Sequence, residues 1–181
     1  MSVLPITVYG DKILREIAKP IENIDGEVIA KIQQMFFTMR QASGIGLAAN
    51  QVGWNGKLFV IDLSPVEGFE DHKPVVMINP EIVEKSDELV IFEEGCLSLP
   101  FIRAEVERPE SIVIRYYDTD EKEHEIEADD WFARVIQHEY DHLLGKMIPD
   151  RVTPDLKKKM QKELLRIMKR QIEPDYIITE K

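Results

Sequence analysis

The stretch RVIQHEYDHLLG, Arg134 to Gly145, sets His138 and His142 four residues apart with Glu139 beside the first. On a helix that spacing puts both imidazoles on one face, ~6 Å apart, close enough to share one cation at ~2.1 Å each. Glu139 is then placed to take a proton from water on that cation. The helix is expected to start at Asp129 as N-cap, run through Trp131 and Val135, and stop at Gly145. A plainer reading is a helix with two satisfied histidines and a solvated glutamate. A catalytic site with three protein ligands needs one more residue.

Spacing leaves the third ligand open. An extended protease-type motif would need a histidine at position 148, where this chain has Ile148. Glu163 is a downstream acid at workable spacing, in a Lys/Arg-rich segment. The lone Cys96 lies in EEGCLSLP, where glycine gives the backbone freedom to turn a sulfur toward a site. A lone cysteine is more often a small buried hydrophobe than a ligand, but a two-histidine site still lacking its third ligand moderately reverses those odds.

Working outward, GDKILREIAKP predicts a short helix stopped before Pro20, and Asp25 is a plausible N-cap for a longer one. Val28, Ile29, Ile32, Met35, Phe36 and Met39 recur along that second helix, which should end near Ser43. KLFVIDLS and PVVMINPEIV are apolar enough for buried strands, and ELVIFEEGCLSLP begins as a strand and becomes irregular at Gly95. RAEVERPESIVIRYYDTDEKEHEIEA alternates apolar and polar residues around a turn at Asp118–Glu121. Thr153-Pro154 opens a last helix, with Leu156, Met160, Leu164, Ile167 and Met168 on one face. The expected fold is α+β: antiparallel strands packed around a central metal-binding helix, with N- and C-terminal helices. Residues 1–181 are expected to form one domain, with a basic helix at about 154–171 and a short tail.

The 181 residues carry a net charge of −11, which argues against a general nucleic-acid surface and against DNA as a partner. Residues 151–170 hold eight Lys/Arg against two Asp/Glu, a local +6 that leaves −17 elsewhere. One cysteine excludes an internal disulfide and fits a reducing cytoplasm. No apolar run reaches the ~20 residues of a membrane span, and MSVLPITVYGDK has no signal-peptide pattern. His72 and His124 read as surface residues without a role.

A third stretch, GIGLAANQVG at Gly44–Gly53, is by itself a small-residue loop suited to close packing. Together with EGCLS at Glu94–Ser98 and QHEYDHLLG at Gln137–Gly145, it resembles the polypeptide deformylase family. That family carries GxGLAAxQ, EGCLS and QHExDHLxG in this order. The resemblance implies that Cys96, His138 and His142 bind a divalent metal and that Glu139 is general base and acid. It further implies that Gln51 and the backbone N–H of Leu97 stabilise the oxyanion, and that Ile45, Gly46 and Leu97 border the substrate. Val135, just before the metal ligands, is expected to line a pocket for the methionine side chain. Arg134 has no evident place.

The implied reaction is hydrolysis of the N-formyl group of newly made formylmethionyl peptides, releasing formate. A thiolate with two imidazoles suits Zn²⁺ or Fe²⁺ alike; the resemblance implies Fe²⁺ in the cell, with Zn²⁺ an alternative in purified protein. Family members are similar in using a basic C-terminal helix at the ribosome. IEPDYIITEK departs here from a simple helical end.

Overall fold

The computed structural model describes residues 2–181. The metal-motif helix, α2 (Asp130–Leu143), is the centre of the architecture, and ten of its residues are buried. A helix so enclosed needs partners for its polar face as well as its apolar one. The apolar face (Ala133, Val135, Ile136 and Leu143) packs with Phe59, Ile61, Met77 and Ile114 of a five-stranded antiparallel sheet. That sheet runs β1 (Gly46–Ala48), β2 (Leu58–Ile61), β3 (Val75–Lys85), β6 (Ile112–Tyr117), β7 (Glu123–Ala128). The polar face meets a separate two-stranded ribbon, β4 (Leu89–Gly95) with β5 (Arg103–Pro109). Gln137 Nε2 donates to the Pro109 carbonyl and Arg134 to the Val106 carbonyl, at 3.0 and 2.8 Å. The fold is α+β with antiparallel strands, as expected.

α1 (Gly26–Gln41) is capped as the sequence predicts, the Asp25 carboxylate accepting from the N–H of Glu27 and Val28. Ile32, Met35 and Met39 turn inward against Leu47, Leu58 and Val60. α3 (Pro154–Met168) starts at Thr153 as read and buries Leu164 and Ile167 beside Val8 and Leu14.

Four local expectations need correction. The first helix shrinks to a single turn at Lys12–Arg15, because the chain is extended again at Glu16. Asp129 occupies the N-cap position of α2, but its side chain makes no cap hydrogen bond. The stretch from Arg103 to Ala128 is not one hairpin: it breaks after Pro109, and β5 and β6 belong to different sheets. The hairpin at 118–121 does form, joining β6 to β7, with Asp118 accepting from the N–H of Asp120 and Lys122. GLA at Gly46–Ala48, read as a loop, is an edge strand paired with Phe59–Ile61.

Gly145 ends the last turn of α2 with φ +69°, and a Cβ there would lie 2.6 Å from the Arg15 carbonyl oxygen. Only glycine combines that left-handed turn with so close an approach.

Candidate active site

Three elements converge at one end of α2. The helix supplies His138, Glu139 and His142; the loop leaving β4 supplies Cys96; the turn after β1 supplies Gln51. One ligand atom each from Cys96, His138 and His142 lie within 4.8 Å of one another, the Cys96 Sγ 3.2 Å from His142 Nε2. Residues 42 positions apart in sequence thus share one point in space, which no spacing rule could have indicated. Glu163, the alternative third ligand, is instead paired with Arg166 at 2.9 Å on α3 and has no part in the cluster.

The histidines are oriented from behind. His138 Nδ1 is 2.9 Å from Glu94 Oε2, which assigns the proton to Nδ1 and turns Nε2 toward the cluster. Glu94 is itself held by Arg108, at 2.6 and 2.9 Å, and by Arg134, at 2.9 Å. Burial opposes the charge of Glu94, but Arg108 and His138 more than offset it and keep the carboxyl well below the usual carboxylate range. Arg108 also reaches Asp141 at 2.7 Å, and Arg151 pairs with the same carboxylate. Arg134, unplaced by the sequence, is therefore a buried strut that ties α2 to the ribbon. Its signal could not be read in advance, since its partners are carbonyls of Val90 and Val106 and the Glu94 carboxylate.

The donor set fits a divalent cation. Cys96 offers sulfur, His138 presents Nε2, and His142 is all but buried with its Nδ1 lacking a partner. Burial lowers the His138 pKa, yet contacts with Cys96 and Glu94 raise it well above that of an ordinary imidazole. Burial and the neighbouring His138 hold His142 well below it. A cation drawing on both rings would displace a proton, so uptake is coupled to proton release. Glu139 is 3% exposed with Oε2 unpartnered, and burial pushes its carboxyl up to about 7 against the pull of His138. A carboxyl near neutrality suits proton transfer in both directions.

A cavity of about 460 Å³ opens on this cluster. Ile45, Gly46, Gln51, Leu97 and Val135 all line it, as do Arg134, Trp131 and Phe101. Gln51 Nε2 donates to Ser98 Oγ at 3.1 Å and lies 3.6 Å from Cys96 Sγ, while its Oε1 accepts from the Ala48 N–H at 2.8 Å. The amide is thus fixed with its donor edge toward the cysteine. The glycines leave little room: a Cβ at Gly44 would meet Leu97 Cδ1 at 2.8 Å and displace that side chain, and one at Gly46 would crowd the Glu139 carboxylate and Val135 Cγ1, the latter at 2.9 Å.

Residues 3–158 match the model of the family described as polypeptide deformylase. The chain belongs to that family. The peptide deformylase of Chlorobium phaeovibrioides is 45% identical over 174 residues, covering 96% of this chain and 91% of the relative. That of Rickettsia prowazekii is 48% identical over 153 residues, covering 83% and 87%. Among solved structures, the peptide deformylase of Legionella pneumophila is similar with a TM-score of 0.85 at 35% identity, covering 94% of this chain and 98% of that one. The Thermotoga maritima enzyme is similar at 0.79 and 42% identity, covering 85% and 100%. The family match ends at Lys158, so most of α3 and the tail beyond it lie outside.

Two smaller readings change. His72 is not simply a surface residue: its ring packs 4.6 Å from that of Phe132, and its Nδ1 is buried without a partner. His124 bonds Asp118 at 2.6 Å and stacks on Tyr116. Neither lies at the cavity.

Proposed function

We propose that this chain is a metal-dependent hydrolase that removes the N-formyl group from formylmethionine of newly made polypeptides and releases formate. The observation that carries the reading is the meeting of Cys96, His138 and His142 beside a cavity lined by Cys96, His138 and Glu139, the last with a buried, unpartnered carboxylate oxygen. Family membership supports the same reaction.

Cys96, His138 and His142 would hold the ion, which when bound acidifies a water molecule and polarises the formyl carbonyl. Glu139 takes the proton of the attacking water on its free Oε2 and passes it to the departing amine nitrogen, a poor leaving group without it. Gln51 Nε2 and the Leu97 N–H are the donors assigned to the tetrahedral oxyanion, a role typically worth ~3–4 kcal/mol per donor. Ile45, Gly46 and Leu97 border the extended peptide, and Val135 helps line the methionine pocket. Close walls at Gly46 and Leu97 favour formyl, whose carbon carries only hydrogen, over larger acyl groups.

Sulfur with two imidazole nitrogens suits Fe²⁺ and Zn²⁺ alike, and the family resemblance favours Fe²⁺ in the cell with Zn²⁺ in purified protein. The 181 residues work as one metallohydrolase domain, in the cytoplasm, where its nascent substrates are made. No helix among the described residues is long and apolar enough to cross a membrane. The exposed face of α3, with Lys158, Lys159, Lys162, Arg166 and Lys169, offers a cationic patch for ribosomal RNA phosphates. Co-sedimentation with ribosomes that weakens with salt, and is lost when these residues are made neutral, is the expected result for that contact.

The test of the reaction is an anaerobic assay on formyl-Met peptides, with metal content measured on the same sample. Stoichiometric metal with formate release is expected. Fully metallated protein that releases no formate overturns the proposal.

A further inference from the structure

The tail after α3 turns back to the site. Arg170, at φ +57°, reverses the chain, and its guanidinium donates to the Thr179 carbonyl at 2.8 Å and to Asp11 at 2.5 Å. Thr179 Oγ1 donates to the same Asp11 carboxylate at 2.6 Å. Backbone bonds from Ile6 N–H to the Ile177 carbonyl and from Thr179 N–H to the Ile6 carbonyl, both 2.9 Å, lay the tail along the N-terminal segment. This clamp brings Tyr176 to the cavity wall, where its hydroxyl donates to the Leu97 carbonyl at 2.8 Å.

That bond falls at a sensitive point. Three successive carbonyls of the cysteine loop are engaged: Cys96 by the Leu99 N–H at 2.9 Å, Leu97 by Tyr176, and Ser98 by the Tyr9 N–H at 2.9 Å. The outer two are backbone bonds, and the middle one depends on a single side chain. Leu97 is also the residue whose N–H is assigned to the oxyanion. Its carbonyl lies on the following peptide unit, and with that carbonyl fixed the N–H can swing only by rotation at the φ and ψ of this one residue. A donor displaced by even ~1 Å loses much of its effect on the transition state.

We propose that Tyr176 is a positioning residue for the deformylase reaction: delivered by the C-terminal clamp, its hydroxyl fixes Leu97 so that the loop presents its N–H to the substrate oxygen. The inference rests on the reaction proposed above. It assigns a function to a segment beyond the residues that match the family model.

The test compares the full-length, metal-loaded protein with its Tyr176→Phe variant, which lacks only the hydroxyl. The expected result is a kcat about tenfold lower with KM, metal content and melting midpoint unchanged. Amide hydrogen exchange of the segment 96–102 should quicken in the variant while exchange elsewhere stays the same. An unchanged kcat overturns the proposal. So does a kcat that falls only in step with metal content or melting midpoint, since that is a general structural role. If the unaltered protein released no formate, the reaction reading would fail separately. The hold of Tyr176 on Leu97 would then be decided by exchange alone: quickening confined to 96–102 would keep it, and no change would overturn it.

Discussion

Two regions of the molecule use charge in opposite ways. On the α2 side, Glu94, Arg108, Arg134 and Asp141 are each no more than about 5% exposed and interlock in one network. On the C-terminal side, α3 carries most of its charge outward, and its Glu163–Arg166 pair leaves its side chains 37% and 49% exposed. An ion pair removed from water is expensive to break, because the abandoned charge stays buried; an exposed one is screened and contributes little. The first arrangement holds ligands in register. The second leaves a surface free to meet other charges.

The contrast can be broken most severely at its centre. Glu139→Ala should keep the metal and lose about 10²–10⁴-fold in turnover, measured as formate release at matched metal content. Unchanged turnover would mean another base. Cys96→Ser should abolish or sharply reduce metal retention, measured by elemental analysis after dialysis. Full metal and full activity would remove Cys96 from the site.

Next comes the buried network. Arg108→Ala leaves Glu94 and Asp141 without their shared partner, and should destabilise the protein by about 3–5 kcal/mol in denaturant unfolding. A loss near zero would mean that water reaches the network and that the ribbon contributes little to orienting His138. The smallest effect is expected on the other side. Arg166→Ala removes an exposed pair three residues apart on one helix, and should leave the unfolding midpoint within experimental scatter. A large destabilisation there would erase the distinction between the two sides.

How much of this was legible in the sequence follows the same division between local and long-range physics. Asp25 as a cap, the Met35–Met39 face and the His138–His142 face depend on neighbours within one or two helical turns, and all were readable. Cys96 was different. The residues by themselves favoured it only moderately, and the family resemblance singled it out. β1 went unread because three residues, Gly-Leu-Ala, carry too little pattern, though pairing with Phe59–Ile61 makes them a strand. Arg134 had no evident place in the sequence, and only the ribbon's return over α2 shows what charges it and Arg108 meet. The tail's clamp was out of reach for the same reason: Thr179 and Asp11 are 168 residues apart, and no periodicity marks either.

The account turns on whether one ion is held by one sulfur and two imidazole nitrogens. X-ray absorption at the edge of the bound metal, on anaerobically prepared protein, reads that coordination directly. One sulfur at about 2.3 Å with nitrogen neighbours near 2.0–2.1 Å is the predicted result. A first shell without sulfur would contradict it.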